Sequence, residues 1–462
     1  MPQLFEEALH YTERWIDIIH KSEVSEAEGK AIIEESQRNF ADYFNKGWLD
    51  YRKSVTEAGD WAATEWMGSG AIFWDVLGRE FIDCLGGYGM MDLGWGHPDV
   101  IDTVRAQLNH TPMPSQELID PLRGVLAKLL ALITPGDIRY SFFCASGTEA
   151  IEGAIKLAKM HTHKNGFIAA LKAFHGKTMG SLSMMGKADY RQPAGLLYGG
   201  PVYHVPFGDT EAVERQLDTC KKVGVDIAAC LFEPIQGEAG AIVPPDDFWP
   251  RVREITKRYG VLLIVDEVQT GLGRTGKLWG LDHWGVVPDI MAVAKSLGGG
   301  VMPISAFCAN EEIWQCMMYP NPFIHTTTTG GGALACSAAI AAINVTLRDK
   351  LWEVAAQKGD YIFPKLRAFA AKYPQIYDND YPTPIGKLAI TGKGLLIGQH
   401  FIDPEVGFKV AAGLFKRGVL VAGTLTSAHT IRIEPPLVIT IEQIDEVLNR
   451  LEDTLAEIAK GM

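Results

Sequence analysis

The sequence predicts an α/β fold built on a mostly parallel β-sheet, followed by a smaller α+β domain. Three short apolar runs carry the first part of this prediction, because each is nearly continuous and amphipathic stretches separate them. Strands that helices cover on both faces have this pattern. The runs are Ile227–Leu231, Val261–Val265 and Ile290–Ala294. From about residue 346 the pattern changes to one typical of a separate α+β domain.

We expect three regions along the chain. Residues 1–95 form an N-terminal helical segment and a small hairpin around Leu77–Arg79, residues 96–345 form the large domain, and residues 346–462 form the small domain. Aromatic residues among the charges of the first 60 residues indicate that this segment packs on another surface, such as a second subunit. The elements expected next are a helix near 118–133, a strand at 139–144, a helix at 148–162, a strand at 166–170, a helix at 351–372, strands near 395–401, 418–421 and 430–433, and a helix at 440–460.

Composition argues against several classes of protein. The chain has 462 residues, of which 47% are hydrophobic and 21% charged, so a sizeable core is expected. A net charge of −13 disfavours nucleic acid and anionic membranes as partners. Seven scattered cysteines without a CxxC pair disfavour disulfides and a metal site, and favour a reducing compartment. With neither a signal-peptide pattern nor a long apolar run, we expect a cytoplasmic protein.

The turn after the predicted strand 139–144 has the residues of an anion site. Ser146, Gly147 and Thr148 directly precede a helical pattern, so free N–H groups and the positive end of the helix dipole converge there. The alternative is a capping box, with Ser146 as N-cap and Glu149 as its partner. No Gly-Lys-Ser/Thr follows this turn, so it is not a Walker loop. A Rossmann dehydrogenase is disfavoured as well, because no Gly-x-Gly-x-x-Gly stands directly after a predicted strand with an acid downstream.

Two of the apolar runs end abruptly in one charged residue, Asp266 and Lys295. A lysine in a dry pocket loses proton affinity, and its neutral amine becomes a nucleophile. Such an amine can form an imine with an aldehyde cofactor. A nearby acid can keep the ring nitrogen of that cofactor protonated. Taken alone, Asp266 could be a helix cap. Lys295 could be a surface lysine whose aliphatic part packs on apolar surface. Phe174, in a loop after another strand, could stack on a flat ring or simply pack. Ligands in open α/β sheets bind at the carboxyl ends of the strands, which favours one shared site.

Together these motifs resemble the class III (omega) aminotransferases, which have fold type I and use pyridoxal 5′-phosphate. The resemblance covers nearly the whole chain. It rests jointly on Ser146–Glu149, Phe174–Gly176, Glu233–Glu238, Asp266–Gly276 and Lys295–Gly300. One departure is Thr329–Ala333, where the family usually has an aromatic residue followed by Gly-Gly-Asn-Pro. We expect a wider and looser loop there.

The resemblance implies roles for the cofactor residues. Lys295 would hold the cofactor covalently and move the substrate proton, and Asp266 would pair with the ring nitrogen. Thr328 would reach the cofactor phosphate of a partner subunit, which implies a homodimer or a dimer of dimers. The remaining cofactor-binding residues would be Gly147, Thr148, Phe174, His175 and Gln269.

The resemblance also implies a substrate site. Arg432 would bind the α-carboxylate of glutamate or 2-oxoglutarate in a bidentate manner. Glu238 would pair with Arg432 when an amine without that carboxylate is bound. Tyr88 belongs to a segment, 88–97, that is rich in Met and Trp and is expected at the substrate entrance.

The reaction implied is ping-pong transfer of an amino group from a terminal diamine, such as putrescine or cadaverine, to 2-oxoglutarate, as in polyamine catabolism. The partners would be a small-molecule amine donor and a 2-oxo acid acceptor. Alternatives are another diamine, an ornithine-type amino acid or a bulky amine as the donor, or a mutase or decarboxylase with the same cofactor. A non-enzymatic regulator is disfavoured, because the chain is acidic and Lys295, Asp266 and Arg432 are all present.

Overall fold

The computed structural model describes residues 2–195 and 200–462. Met1, in the expected N-terminal segment, and residues 196–199, in the expected large domain, lie outside the described residues. Within the described ranges, no helix has the length and apolar character needed to cross a bilayer. The same ranges contain no group of three or more His, Cys, Asp or Glu side chains arranged to hold a metal ion.

The N-terminal segment is mostly helical up to residue 56, and a hairpin follows. Its helices are Pro2–His20, Glu26–Asn39, Lys46–Asp50 and Lys53–Thr56, with a π-helical turn at Phe40–Asn45. The strands that follow are β1 (Glu65–Ser69), β2 (Ile72–Asp75) and β3 (Glu80–Asp83). Strands β2 and β3 pair antiparallel. The carboxylate of Asp75 closes their turn, because it accepts the N–H groups of Leu77 and Arg79 at 2.9 and 2.8 Å.

A seven-stranded sheet forms the large domain. Its strands are β4 (Tyr140–Cys144), β5 (Gly166–Ala170), β6 (Val202–Val205), β7 (Ile227–Phe232), β8 (Leu262–Asp266), β9 (Ile290–Val293) and β10 (Ser305–Ala309). They lie in the order β4-β10-β9-β8-β7-β5-β6. Strand β10 is antiparallel to both of its neighbours, and every other neighbouring pair is parallel. The predicted mostly parallel sheet is therefore confirmed.

Helices cover both faces of this sheet, which explains why its central strands β7, β8 and β9 carry apolar residues on both faces. Alternate residues point to opposite faces: Val265 packs in one buried cluster with the helices of residues 210–222 and 248–259, and Ile264 packs in another with the helix of residues 147–162. The helices of this region are Pro98–Leu108, Pro121–Ile133, Gly147–Thr162, Met179–Met184, Ala188–Arg191, Thr210–Lys222, Phe248–Tyr259, Glu311–Met318 and Ala333–Arg348, with 3₁₀ turns at Gln192–Ala194, Gly280–His283 and Lys295–Gly298.

The C-terminal region is an antiparallel sheet with helices, and its predicted elements are confirmed to within a few residues. Its strands are β11 (Pro382–Thr383), β12 (Gly386–Lys387), β13 (Ile390–Lys393), β14 (Leu396–His400), β15 (Val419–Leu420), β16 (Ala422–Gly423) and β17 (Thr430–Ile433); its helices are Leu351–Lys372, Pro404–Lys416 and Ile441–Lys460. The main sheet has the order β13-β14-β17-β16.

Strand β15 is not part of that sheet; it pairs in parallel with β3. The hairpin from the start of the chain therefore completes a sheet, β1-β2-β3-β15, with the C-terminal region. The hydrophobic pattern of the sequence does not predict this pairing. The division into three regions stays a prediction, and the pairing ties the first of those regions to the last.

Candidate active site

Most of the predicted site residues converge at the carboxyl ends of the large-sheet strands, around a cavity of about 320 Å³. Because the strand ends meet at one edge of the sheet, side chains far apart in sequence come together there. Those of the predicted site residues that line the cavity are Gly147, Thr148, Phe174, His175, Glu238, Asp266, Gln269 and Lys295.

Lys295 lies two residues after the end of β9, at the start of a 3₁₀ turn. Its backbone is in the left-handed region, with a φ of 48°, a conformation that is uncommon outside glycine and is often found at functional sites. Burial lowers the pKa of its amine, and the carboxylates of Glu434, Glu238 and Asp266 act in the opposite direction. A lowered pKa favours the neutral amine, which is the nucleophilic form.

Asp266 ends β8 and is held by two hydrogen bonds. Its Oδ2 lies 2.8 Å from Nδ1 of His175, and its Oδ1 accepts the N–H of Val268 at 3.0 Å. Both members of the Asp–His pair are buried, and Nε2 of His175 has no hydrogen-bond partner among the described residues. The carboxylate is therefore fixed in direction at the cavity wall, and His175 orients it from behind.

The turn after β4 contains the capping box that was considered as an alternative. The Glu149 carboxylate accepts the N–H groups of Ala145 and Ser146 at 2.9 and 2.8 Å. This capping does not exclude an anion site, because Gly147 and Thr148, in the first turn of the helix, line the cavity. The first N–H groups of a helix lack partners within it and favour negative charge.

Glu233, at the end of β7, connects two loops of the site. It accepts the N–H of Phe174 with Oε1 at 3.1 Å and the N–H of Gly237 with Oε2 at 3.0 Å. Burial raises its pKa to about 7. The sequence motif contained Glu233, but no role was predicted for it. The signal available was a carboxylate directly after an apolar strand, as at Asp266.

Arg432, in β17, forms the pair with Glu238 that the resemblance implied. Its Nη2 lies 2.7 Å from Oε1 of Glu238, an ion-pair distance, although the contact lacks the angle of an ordinary hydrogen bond. Glu238 is also held by the N–H of Leu425, at 2.7 Å from Oε2. The ring of Tyr88 lies against the arginine, with its centroid 5.3 Å from the guanidinium carbon. Tyr88 thus contacts Arg432, and Met90 of the same segment lines the cavity.

A further carboxylate, Glu434, lies beside this pair and was not predicted. It is fully buried and accepts the side-chain N–H₂ of Gln269 at 2.9 and 3.1 Å. Gln269 also donates to the carbonyl of Tyr88 at 3.2 Å. The sequence held one signal, since Glu434 stands two residues after Arg432 and residues so spaced in a strand share a face.

Thr328 lies apart from the residues that line the cavity. It is exposed, and its carbonyl accepts the side-chain N–H₂ of Gln116. The unusual loop beside it is anchored by Arg123, whose guanidinium lies 3.3 and 3.4 Å from the carbonyls of Gly331 and Gly330. The prediction that Thr328 reaches the cofactor of a second subunit stays a prediction.

A buried acid, an amine after the neighbouring strand and a helix N-terminus, all at one edge of a mostly parallel sheet, define a pyridoxal-phosphate-dependent enzyme of fold type I. The chain belongs to the class III aminotransferases: the family profile described as aminotransferase class-III matches residues 62–455. A relative named putrescine aminotransferase, from Pectobacterium atrosepticum, is 47% identical over 97% of this chain and 94% of its own length.

Solved structures agree with this assignment. The ornithine aminotransferase of Toxoplasma gondii superposes with a TM-score of 0.79 and 29% identity, over 93% of this chain and 99% of its own. An (S)-enantioselective omega-transaminase from Thermomicrobium roseum has a TM-score of 0.81 and 26% identity, over 94% and 99% of the two chains. A second Toxoplasma gondii structure is described with PLP at the active site. The predicted fold, enzyme class and cofactor are therefore confirmed.

The residues present fit pyridoxal phosphate. Asp266 offers a buried carboxylate for the ring nitrogen, the helix that begins at Gly147 offers N–H groups for the phosphate, and Lys295 offers the amine. Phe174 and Gln269 line the space between them. The role of each residue is part of the proposal that follows.

Proposed function

We propose that this aminotransferase moves the amino group of a terminal diamine, putrescine or cadaverine, to 2-oxoglutarate, giving an aminoaldehyde and glutamate. The observation that carries the proposal is the ion pair between Glu238 and Arg432, at 2.7 Å beside Lys295. The relative that is 47% identical over 97% of the chain is named for putrescine, which supports the same donor here.

Each substrate of this reaction needs a different state of that pair. A dicarboxylate needs a free guanidinium, because arginine binds a carboxylate through two parallel charged hydrogen bonds. A diamine brings no carboxylate, and an unpaired buried arginine would then be costly. Glu238 removes that cost when it pairs with Arg432, so one pocket can accept both substrates in turn.

Proton movement at the substrate carbon is assigned to Lys295. When bound, pyridoxal phosphate supplies an electron sink for the electrons released at that carbon. The Lys295 amine, whose pKa is lowered by burial, takes the proton and returns it. Asp266, oriented by His175 at 2.8 Å, would keep the ring nitrogen protonated.

The remaining cofactor contacts follow from the cavity wall. Gly147 and Thr148 would bind the phosphate, Phe174 would stack on the ring, and Gln269 would lie near the ring hydroxyl. Phe174 is suited to this role because Glu233 fixes its backbone N–H at 3.1 Å. The hydroxyl of Thr148 lies 2.7 Å from those of Thr178 and Ser181, so it belongs to a polar cluster beside the helix N-terminus.

We further propose a homodimer, or a dimer of dimers, in which Thr328 completes the phosphate site of a second copy. Thr328 is exposed in the single chain. Large apolar side chains of the N-terminal segment are exposed as well, among them Tyr43 at 86% and Tyr51 at 87%. A surface of this kind is typical of protein contacts. The seven free cysteines agree with a cytoplasmic, reducing location.

An anaerobic spectral titration of the holoprotein tests the proposed function. Putrescine should bleach the visible band of the bound cofactor, and 2-oxoglutarate should restore it with one glutamate formed per site. Bleaching by ornithine or a bulky amine but not by putrescine would keep the aminotransferase and reject the donor. Recovery of the band before any 2-oxoglutarate is added, with no glutamate formed, would favour the mutase or decarboxylase alternatives, which need no amino acceptor. Putrescine without any spectral effect, at any concentration tested, would refute the proposed donor.

A further inference from the structure

We propose that Glu434 is a positioning residue that sets the balance between the two substrates. Its carboxylate holds Arg432 in place and makes the pocket less attractive to a 2-oxo acid and more attractive to a diamine. The inference rests on the proposed function and assigns a specificity role to a residue outside the predicted site.

The position of Glu434 places the guanidinium between two carboxylates. Glu434 follows β17 directly, and Arg432 lies two residues earlier in that strand. Oε2 of Glu434 is 3.8 Å from Nη1 of Arg432, and Oε1 of Glu238 is 2.7 Å from Nη2. Both carboxylates are buried, Glu434 completely and Glu238 at 6% exposure. Arg432 therefore has two acidic partners, one for each end of its guanidinium.

Only one of these partners is held rigidly. The Glu434 side chain accepts Gln269 at 2.9 and 3.1 Å, and its backbone N–H donates to the carbonyl of Cys84 at 2.8 Å. A Cβ on Gly89 would lie 2.8 Å from Oε1 of Glu434, so the backbone of that loop packs directly on the carboxylate. These contacts prevent the Glu434 carboxylate from moving away from Arg432.

Glu238 is held differently. Its second oxygen accepts the N–H of Leu425 at 2.7 Å, and Leu425 lies in a loop with 37% exposure. A shift of that loop would release Glu238 while Glu434 stayed in place. When a 2-oxo acid binds, Arg432 would thus keep one carboxylate neighbour and exchange the other for the substrate.

The charge of Glu434 acts on both substrates in opposite directions. A fixed negative charge next to Arg432 weakens the pull of the guanidinium on a further carboxylate and strengthens the pull of the site on a cation. The same charge reaches Lys295. Among the carboxylates that raise the lysine pKa against burial, Glu434 acts more strongly than Glu238 and Asp266, and Arg432 opposes them.

Glu434→Gln tests this role, because the amide keeps the shape of the side chain and an acceptor for Gln269 while it removes the charge. The first readout is the dissociation constant of glutarate, an unreactive five-carbon dicarboxylate, measured from its effect on the cofactor band of the holoenzyme. We expect binding to become roughly tenfold tighter. The KM for 2-oxoglutarate should fall, the KM for putrescine should rise, and kcat should change less than either.

The second readout is the pH titration of the visible cofactor band. Removal of the Glu434 charge should move its midpoint to lower pH, because a nearby negative charge stabilises the protonated form of the Lys295 nitrogen. Glu434→Asp, which keeps the charge, should return both readouts toward wild type. The matched control is Asp289→Asn, which removes a carboxylate paired with Arg253 at 2.6 Å at the opposite end of β9. It should move neither readout.

Weaker or unchanged glutarate binding in Glu434→Gln, with the band midpoint unmoved, would overturn the inference and leave Glu434 a structural residue. If the amide variant does not fold, Glu434→Met removes the charge at similar volume and is measured in the same way. Neither readout depends on the amine donor. Failure of the proposed donor would therefore appear in the wild-type titration, and failure of this inference only in the variants.

Discussion

Arg432→Ala separates the two half-reactions of the proposed mechanism. The guanidinium is 1% exposed and lies between Glu238 and Glu434. Its removal takes away the donor pair for the α-carboxylate of the 2-oxo acid. An amine donor without a carboxylate loses no direct contact. The two half-reactions should therefore respond unequally.

The magnitude follows from the contacts that are lost. A hydrogen bond to a charged group contributes about 1.5–3 kcal/mol, so the loss of a bidentate contact should cost the 2-oxoglutarate half-reaction on the order of 3 kcal/mol, or about 10²-fold in kcat/KM. The putrescine half-reaction should change less than roughly tenfold, because Glu238 stays beside Lys295. Breaking a buried ion pair costs about 3–5 kcal/mol, so we expect a loss of stability of that order in the variant.

The assay is single-turnover spectroscopy of each half-reaction, with thermal unfolding measured in parallel. Arg348→Ala is the matched control, because Arg348 is half-exposed and paired with Asp99 on the surface at 2.6 Å. It should leave both half-reactions unchanged. Arg432→Lys should recover only part of the 2-oxoglutarate rate, since an ammonium lacks the planar fork. Equal losses in the two half-reactions of Arg432→Ala would refute the assigned role.

Three further predictions concern the cofactor, packing and pH. Lys295→Ala should abolish turnover and the visible cofactor band while far-UV circular dichroism is preserved; retained transamination would reject the assignment. Gly153→Ala should lower the free energy of unfolding by about 1–3 kcal/mol, because its Cβ would lie 2.1 Å from the Phe307 ring. The control, Gly124→Ala, is also in a helix but faces open space, so it should not destabilise the protein. Equal melting temperatures of the two variants would contradict this prediction. Burial lowers the pKa of His400 to about 3, so between that pH and about 6.5 the unfolded chain binds more protons. The contribution of His400 to stability should be complete above about pH 6.5 and fall toward pH 3 by at most about 1.4 kcal/mol per pH unit. The difference in melting temperature between the wild type and His400→Asn should therefore change over that pH range.

Several features of this protein were predictable because they are local in sequence. Asp266 and Lys295 each end an apolar run, and the pattern of such runs separated by amphipathic helices predicts parallel strands whose ends meet. The capping box at Ser146 and Glu149 and the hairpin near Leu77 depend on residues a few positions apart. Short spacings of this kind fix hydrogen bonds without knowledge of the rest of the chain.

Only the tertiary structure decided which charges face one another. Glu434 is one polar residue among many until β17 places it against Gln269 and Arg432. The reversal of β10 within the sheet and the pairing of β15 with β3 were likewise absent from the pattern, because hydrophobic periodicity reports burial but not direction or neighbour. Periodicity and caps are set by residues within a few turns of each other, whereas an ion pair or a strand order depends on how distant segments are brought together.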